Sequence, residues 1–423
     1  MIDKDKIKSY FVGGSLRGDA AQIYIYQFLG LGFGLISSIV IARTLGPTDK
    51  GIVDLFNLLN SFILEFGLLG FGSGLLYYLA KKGTHLKQIH GTGLVFSIIV
   101  GILTGLVGWL GLPLWRKIFP GLSNWIILLA FSLSPLVYYR LIWSNIMTGI
   151  NQAVASFKAS LYFGIVNVPF IVLLWLSGRL NVQNVIALTA LFTVLNAVVF
   201  FGMLYKREPE LSFDLSLTKG SLNYGLIIYL GVIANVLHFK IDQVMINYWL
   251  GTRAVGLYAM SVRWAEMLFL LDSAILSAAF YRVSSASNEE SYALTKRLFK
   301  AQLLISGGSG VVLALLAYPL VLILYGSAYH DAALPLILLI PGIIAWSVAK
   351  ILSNMLVYNR GMASTAVKIA IFGSILNILL NLLFIRILGI GIVGSALASS
   401  ISYSIVALLT GFRVREVSVL RPS

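Results

Sequence analysis

Apolar runs of about 20 residues, each bounded by charge, glycine or proline, follow one another along this chain with hardly a break. A run of that length is what a helix needs to cross the hydrocarbon of a bilayer. Twelve can be read, at roughly 18–44, 51–80, 90–112, 123–148, 154–177, 182–205, 220–250, 254–283, 296–325, 332–357, 362–387 and 391–413. In lipid every backbone N–H and C=O must be satisfied within the protein, so runs this long become helices. The expected class is therefore an all-α polytopic membrane protein. Charge content agrees: 11% of residues are charged, against about a quarter in soluble domains. In a chain of 423 residues, twelve spans leave no room for a sizeable soluble domain, and function must lie among the helices.

The net charge of +15 comes from basic residues scattered between spans rather than gathered on one solvated face, so nucleic acid is not an expected partner. The absence of cysteine excludes disulfides, thiolate nucleophiles and Cys-ligated metals. His85, His90, His238 and His330 are dispersed without metal-ligand spacing, and the connections on the basic-poor side are too short to build a carboxylate site. Neither an enzyme nor a cofactor is expected. Gly389-Ile390-Gly391-Ile392-Val393-Gly394 matches the dinucleotide-binding pattern, but it joins two membrane spans instead of a strand and an amphipathic helix.

Short loops rich in Lys and Arg stay in the cytoplasm. Nineteen such residues fall at the termini and in the even-to-odd connections, against seven in the others, which places both termini inside. The segment Met1–Ala20 is polar, without the apolar core of a signal peptide. Ser287-Asn288-Glu289-Glu290 has capping-box spacing and predicts a helix start there.

Residues 41–52, IARTLGPTDKGI, align with residues 246–257, INYWLGTRAVGL, at an offset of 205 residues. Leu-Gly and a later Gly stay in register. Because six spans separate the copies, both halves enter the membrane in the same direction and are expected to be parallel repeats with the substrate path between them. The expected organisation is a six-helix bundle at 1–205, a cytoplasmic linker at 206–219, and a second six-helix bundle at 220–423. Gly70 with Gly74, and Gly101 with Gly105, have the small-residue spacing of close helix packing.

Charges within the spans are rare and need a reason. Lys240, Asp242, Arg263 and Glu266 occupy the two arms of a hairpin that turns near Thr252. At 1.5 Å rise per residue, Asp242 and Arg263 match in depth, as do Lys240 and Glu266 a little deeper. They form either a structural clasp of two ion pairs or part of a binding site. Arg140, Asp272, Lys350 and Lys368 lie in other spans; for Arg140 and Lys368 the alternative is snorkelling toward the headgroups. Glu65 lies near mid-membrane with only Gln27 and Gly30 at its depth on the preceding span, which marks it as a candidate proton or ion carrier. The basic bias suits an anionic headgroup, most simply a phosphate or pyrophosphate, held by Arg263, Lys240, Arg140 and Lys350.

Gln22–Gly51 with its Ala42-Arg43-Thr44-Leu45-Gly46-Pro47 turn, together with Lys240–Ile246, Leu250-Gly251 and Ala254–Tyr258, resembles the polysaccharide-biosynthesis branch of the multidrug/oligosaccharidyl-lipid/polysaccharide exporter superfamily. The resemblance implies a V-shaped pair of pseudo-symmetric six-helix bundles around a cationic cavity. It implies a flippase that moves undecaprenyl-pyrophosphate-linked oligosaccharide across the bacterial plasma membrane by alternating access. Membrane lipids, and proteins of envelope polysaccharide assembly, would be its partners. The alternative within the superfamily is a cation-coupled small-molecule antiporter, for which the basic bias has the wrong sign.

Overall fold

Two glycines shape the hairpins from which the chain is built. Gly46 (φ 73°, ψ 175°) and Gly251 (φ 82°, ψ −178°) adopt a backbone conformation that side chains exclude. Each breaks one helix and lets the next begin at once, with Pro47 and Thr252 as the first residues beyond the break. They stand at equivalent places in the two repeats read from the sequence, 205 residues apart. The repeat is therefore present in the backbone.

This computed structural model describes residues 16–270, 283 and 286–420. The helices are α1 (Leu16–Gly67, bent at Gly46), α2 (Phe71–Lys82), α3 (Leu86–Leu110), α4 (Leu112–Ile118), α5 (Asn124–Ser132), α6 (Ser134–Gly149), α7 (Ala153–Leu176) and α8 (Val182–Arg207). They continue as α9 (Leu215–Leu250), α10 (Thr252–Glu266), α11 (Asn288–Tyr325), α12 (Ala333–Asn354), α13 (Ala363–Asn381) and α14 (Ile392–Leu420). A 3₁₀ turn precedes α12, and π-helical turns follow α12 and α13. No strand occurs among the described residues, and the protein is an all-α, multi-pass membrane protein.

Ten helical stretches among the described residues are long and apolar enough to cross a membrane. Twelve were expected, and the difference has two sources. Ala21–Gly67 counts as one stretch although the bend at Gly46 divides it between the first two expected spans. The eighth, 254–283, runs into residues 271–282, which lie outside the described set together with Asp272.

The contacts divide the chain into two units. The first comprises the chain up to Leu45, Phe56–Lys117 and Leu122–Tyr229; the second comprises Gly46–Leu55, Ile118–Gly121 and the chain from Leu230. In lipid the tails are as apolar as the side chains, so helices are held by close backbone approach and polar contacts rather than by escape from water. In the first unit, Gly70 and Gly74 face the α9 backbone at Gly225 and Ser221, and Gly101 faces Pro135. In the second, Gly51 and Gly256 bring the two repeat turns together, Gly51 against the Thr252 carbonyl and Gly256 against that of Pro47.

Helix starts follow local chemistry. Ser287 accepts the Glu290 N–H at 3.3 Å and opens α11 as the capping spacing predicts. Asp214 opens α9 by accepting from Leu217 N at 3.0 Å and Ser216 Oγ at 2.8 Å.

Candidate functional site

The second unit gathers most of the charges singled out in the spans. Glu266, at the end of α10, lies within electrostatic range of Lys240 on α9, Arg263 on α10 and Lys350 on α12. Three cations thus surround one carboxylate, and the cluster keeps a positive excess. Lys50 pairs with Asp54 one turn along α1, both buried, and Arg263 is within range of Lys50. Lys50 falls between the first two spans expected from the sequence, and Asp54 within the second. Their i,i+4 spacing was the available signal.

Lys350 Nζ stands 3.9 Å above the Phe269 ring centroid, which anchors the ammonium by cation–π attraction. The same lysine lines a cavity of about 810 Å³. Trp346, Lys350, Ser353, Asn354 and Val357 form one face of α12 and the turn after it, and they meet Asn235, Phe239 and Thr410 across the space. Apolar walls with a few convergent polar groups are the usual construction of a ligand site. Among the described residues its one charged lining residue is basic.

Asp242 has other company than expected. Its carboxylate accepts from Tyr258 Oη at 2.6 Å, Ser399 Oγ at 3.3 Å and the Gln243 N–H at 2.8 Å, at 2% exposure. Arg263 is exposed and turned to Lys50 and Glu266, so the depth-matched Asp242–Arg263 pair is replaced by hydroxyl contacts. The network continues through neutral groups. Asn377 Nδ2 donates to Ser399 and Ser402 at 3.2 and 3.1 Å, Ser395 donates to Asn381 Oδ1 at 2.7 Å, and His238 Nε2 meets Ser402 Oγ at 3.1 Å. Asn377 and Asn381 are one turn apart, and Ser395, Ser399 and Ser402 share a helical face. The signal for it in the sequence is this stripe of small polar residues at helical spacing within otherwise apolar spans.

The first unit holds Arg140 and Glu65. Arg140, on α6, lines a separate cavity of about 490 Å³ with Asn57, Asn60, Asn167, Thr193 and Asn196. Glu65 is half-buried near the end of α1, within electrostatic range of Tyr229, whose hydroxyl donates to the Phe66 carbonyl at 2.7 Å. Lys368 is exposed on α13. Among the described residues no group of three His, Asp or Glu side chains is placed to hold a metal ion.

A family model described as polysaccharide biosynthesis protein matches residues 40–334. No curated protein matches the sequence. The fold is similar to that of a multidrug resistance MATE family transporter of the MOP superfamily in an inward-facing conformation, with a TM-score of 0.77 at 15% identity, covering 97% of this chain and 96% of that one. It is also similar to the lipid II flippase MurJ in an inward closed conformation, with a TM-score of 0.72 at 18% identity over 93% and 87%. A MOP superfamily transporter from Pyrococcus furiosus, whose description speaks of a binding pocket of reversed polarity, aligns with a TM-score of 0.63 at 14% identity over 95% of each chain.

Proposed function

Because this chain belongs to the polysaccharide biosynthesis protein family, we propose that it is a flippase for an undecaprenyl-pyrophosphate-linked oligosaccharide in the bacterial plasma membrane. Both termini face the cytoplasm, and the headgroup crosses by alternating access while the lipid tail stays in the bilayer. The observation that carries this reading is the sign of the cavities: the 810 Å³ space is lined by Lys350 and the 490 Å³ space by Arg140, and among the described residues neither has a carboxylate on its wall. Lys240 and Arg263 add to the positive excess around Glu266. Fixed cations with few competing anions suit an acidic lipid-linked glycan: Lys350, Lys240 and Arg263 can contact a pyrophosphate through charge-assisted hydrogen bonds, and Arg140 an acidic group elsewhere on the same cargo.

Structural kinship to lipid-flipping and drug-exporting folds is compatible with two cargoes, and the positive charge supports the first. A cation-coupled antiporter of small cationic molecules would want acidic walls. Glu65 is the proposed carrier of a coupling proton, with Asp242 as the second carboxylate to test.

The deciding experiment uses the full chain in proteoliposomes with a fluorescent isoprenyl-pyrophosphoryl oligosaccharide. Protein-dependent exposure of the headgroup on the opposite leaflet supports the flippase. Efflux of cationic dyes without headgroup movement would replace it by the antiporter.

A further inference from the structure

The cavity of the first unit differs in chemistry from the Lys350 cavity, and its donors and acceptors can be counted. Asn57, Asn60 and Ser61 enter it from α1, Arg140 from α6, Asn167 from α7, and Thr189, Thr193 and Asn196 from α8. Four of these each donate one hydrogen to the backbone of their own helix. Asn60 Nδ2 donates to the Phe56 carbonyl at 2.9 Å and Asn196 Nδ2 to the Phe192 carbonyl at 2.6 Å. Thr189 donates to the Val185 carbonyl and Thr193 to the Thr189 carbonyl, both at 2.9 Å.

A backbone carbonyl only accepts, so in each amide the nitrogen must face it and the oxygen is left for another donor. Each threonine hydroxyl is likewise left with lone pairs. Asn60 Oδ1 is buried without a partner, which is unfavourable unless something donates to it. The wall therefore offers the amide and hydroxyl oxygens as acceptors beside the second N–H of each amide, and the guanidinium of Arg140 adds a fork of donors.

We propose that this cavity is a sugar subsite that receives a carboxylate-bearing, hydroxyl-rich ring of the transported glycan. The inference rests on the flippase reading and specifies its cargo. A ring of hydroxyls donates to the asparagine and threonine oxygens while a carboxylate takes the two parallel N–H groups of Arg140. Phe56, Phe192, Leu133 and Val137 on the same wall suit the C–H faces of a pyranose. A phosphate can pair with Arg140 but, bringing only acceptors, leaves the asparagine and threonine oxygens without a donor. A bare cation satisfies the oxygens but meets the guanidinium. The volume of about 490 Å³ is within the range of ligand pockets.

The test is ligand titration of the full chain in detergent with three probes: glucuronic acid, glucose and geranyl pyrophosphate. Glucuronic acid is expected to bind at least about tenfold more tightly than glucose, and Arg140→Gln is expected to abolish that preference. Thr193→Val, nearly isosteric, is expected to weaken both sugars, and it keeps the test alive if Arg140→Gln does not fold. Equal binding of the two sugars, an unchanged preference in Arg140→Gln, or displacement of glucuronic acid by geranyl pyrophosphate would each overturn the subsite. Geranyl pyrophosphate binding that depends on Lys350 but without any glucuronic acid binding overturns the subsite alone. Loss of both takes the flippase reading with it.

Discussion

Gly51 and Gly256 stand against each other where the two repeat turns cross, and neither has room for a side chain. A Cβ on Gly256 would lie 3.0 Å from Gly51 N and overlap the Pro47 carbonyl; one on Gly51 would lie 3.1 Å from Gly256 N and overlap the Thr252 carbonyl. Pro47 and Thr252 are related by the same offset of 205 residues as the two glycines. The contact is thus reciprocal, as pseudo-symmetry requires.

Gly256→Ala is accordingly expected to cost about 1–3 kcal/mol, because the obstacle is backbone that cannot rotate away. Thermal unfolding in detergent reads this as a lowered Tm. Gly307→Ala, at a helical site with open space beside it, is the control and should be neutral or slightly stabilising. If both variants melt like the wild type, the crossing is looser than its geometry.

Much of this was readable beforehand, for a physical reason. Span length, the Leu-Gly turns and the Ser287 cap depend on residues close in sequence, and their geometry is fixed by local sterics. Partners across helices are different. Depth follows from rise per residue, so Asp242 and Arg263 could be matched in height; which way each points depends on the rotation of α9 and α10 about their axes, and that is set by packing, of α9 against α13 and α14 and of α10 against α12. Hence Asp242 found Tyr258 and Ser399 instead. The positive excess of the site was legible because it needs only composition within the spans. The division of the cationic residues between two cavities was not.

Asp242 and Tyr258 offer a second test. Their 2.6 Å hydrogen bond is buried, and removing either partner strands the other at a cost of about 1–3 kcal/mol. Asp242→Leu and Tyr258→Phe should each lower Tm, and the double variant should lose clearly less than the sum of the two. Additive losses in that cycle would mean the two groups do not act on each other.

Asp214 gives an acid dependence outside the membrane spans. Its hydrogen bond from Leu217 N, and then that from Ser216 Oγ, hold its carboxyl below its ordinary value of 3.8. A lowered folded-state value means the stabilisation is fully present above the unfolded value and is lost as pH falls through the folded one. Asp214→Ala should therefore melt earlier than wild type at neutral pH, with the gap closing below about pH 4. A gap that is constant down to pH 2 would show that the charge of Asp214 is idle.

For transport, Lys350→Gln and Arg263→Ala should each reduce headgroup binding by about tenfold to a hundredfold, the range expected when a charged hydrogen bond is removed. Tm should change little, since Arg263 is exposed and Lys350 borders an open cavity. Binding of geranyl pyrophosphate to the purified variants measures the first effect and unfolding measures the second. A variant that binds and exports at the wild-type level removes its residue from the site.

Glu65 separates coupling from scaffold. It sits in the membrane part of α1, close to the Tyr229 hydroxyl that ties α9 to the Phe66 carbonyl, so a proton arriving on Glu65 alters the charge beside a helix–helix contact. A carboxylate at that position can bias the contact between two arrangements, which is what a coupling residue must do. Glu65→Gln keeps the shape and removes the titration. If Glu65 carries the proton, the variant should bind headgroup normally, turn over at least about tenfold more slowly, and lose its response to an imposed pH gradient across the proteoliposome membrane. If Glu65 only braces the helices, Tm should fall while the gradient response of the remaining activity is unchanged. Wild-type transport with wild-type gradient dependence would rule out the carrier role, and Asp242→Asn under the same gradient would then be the next variant to measure.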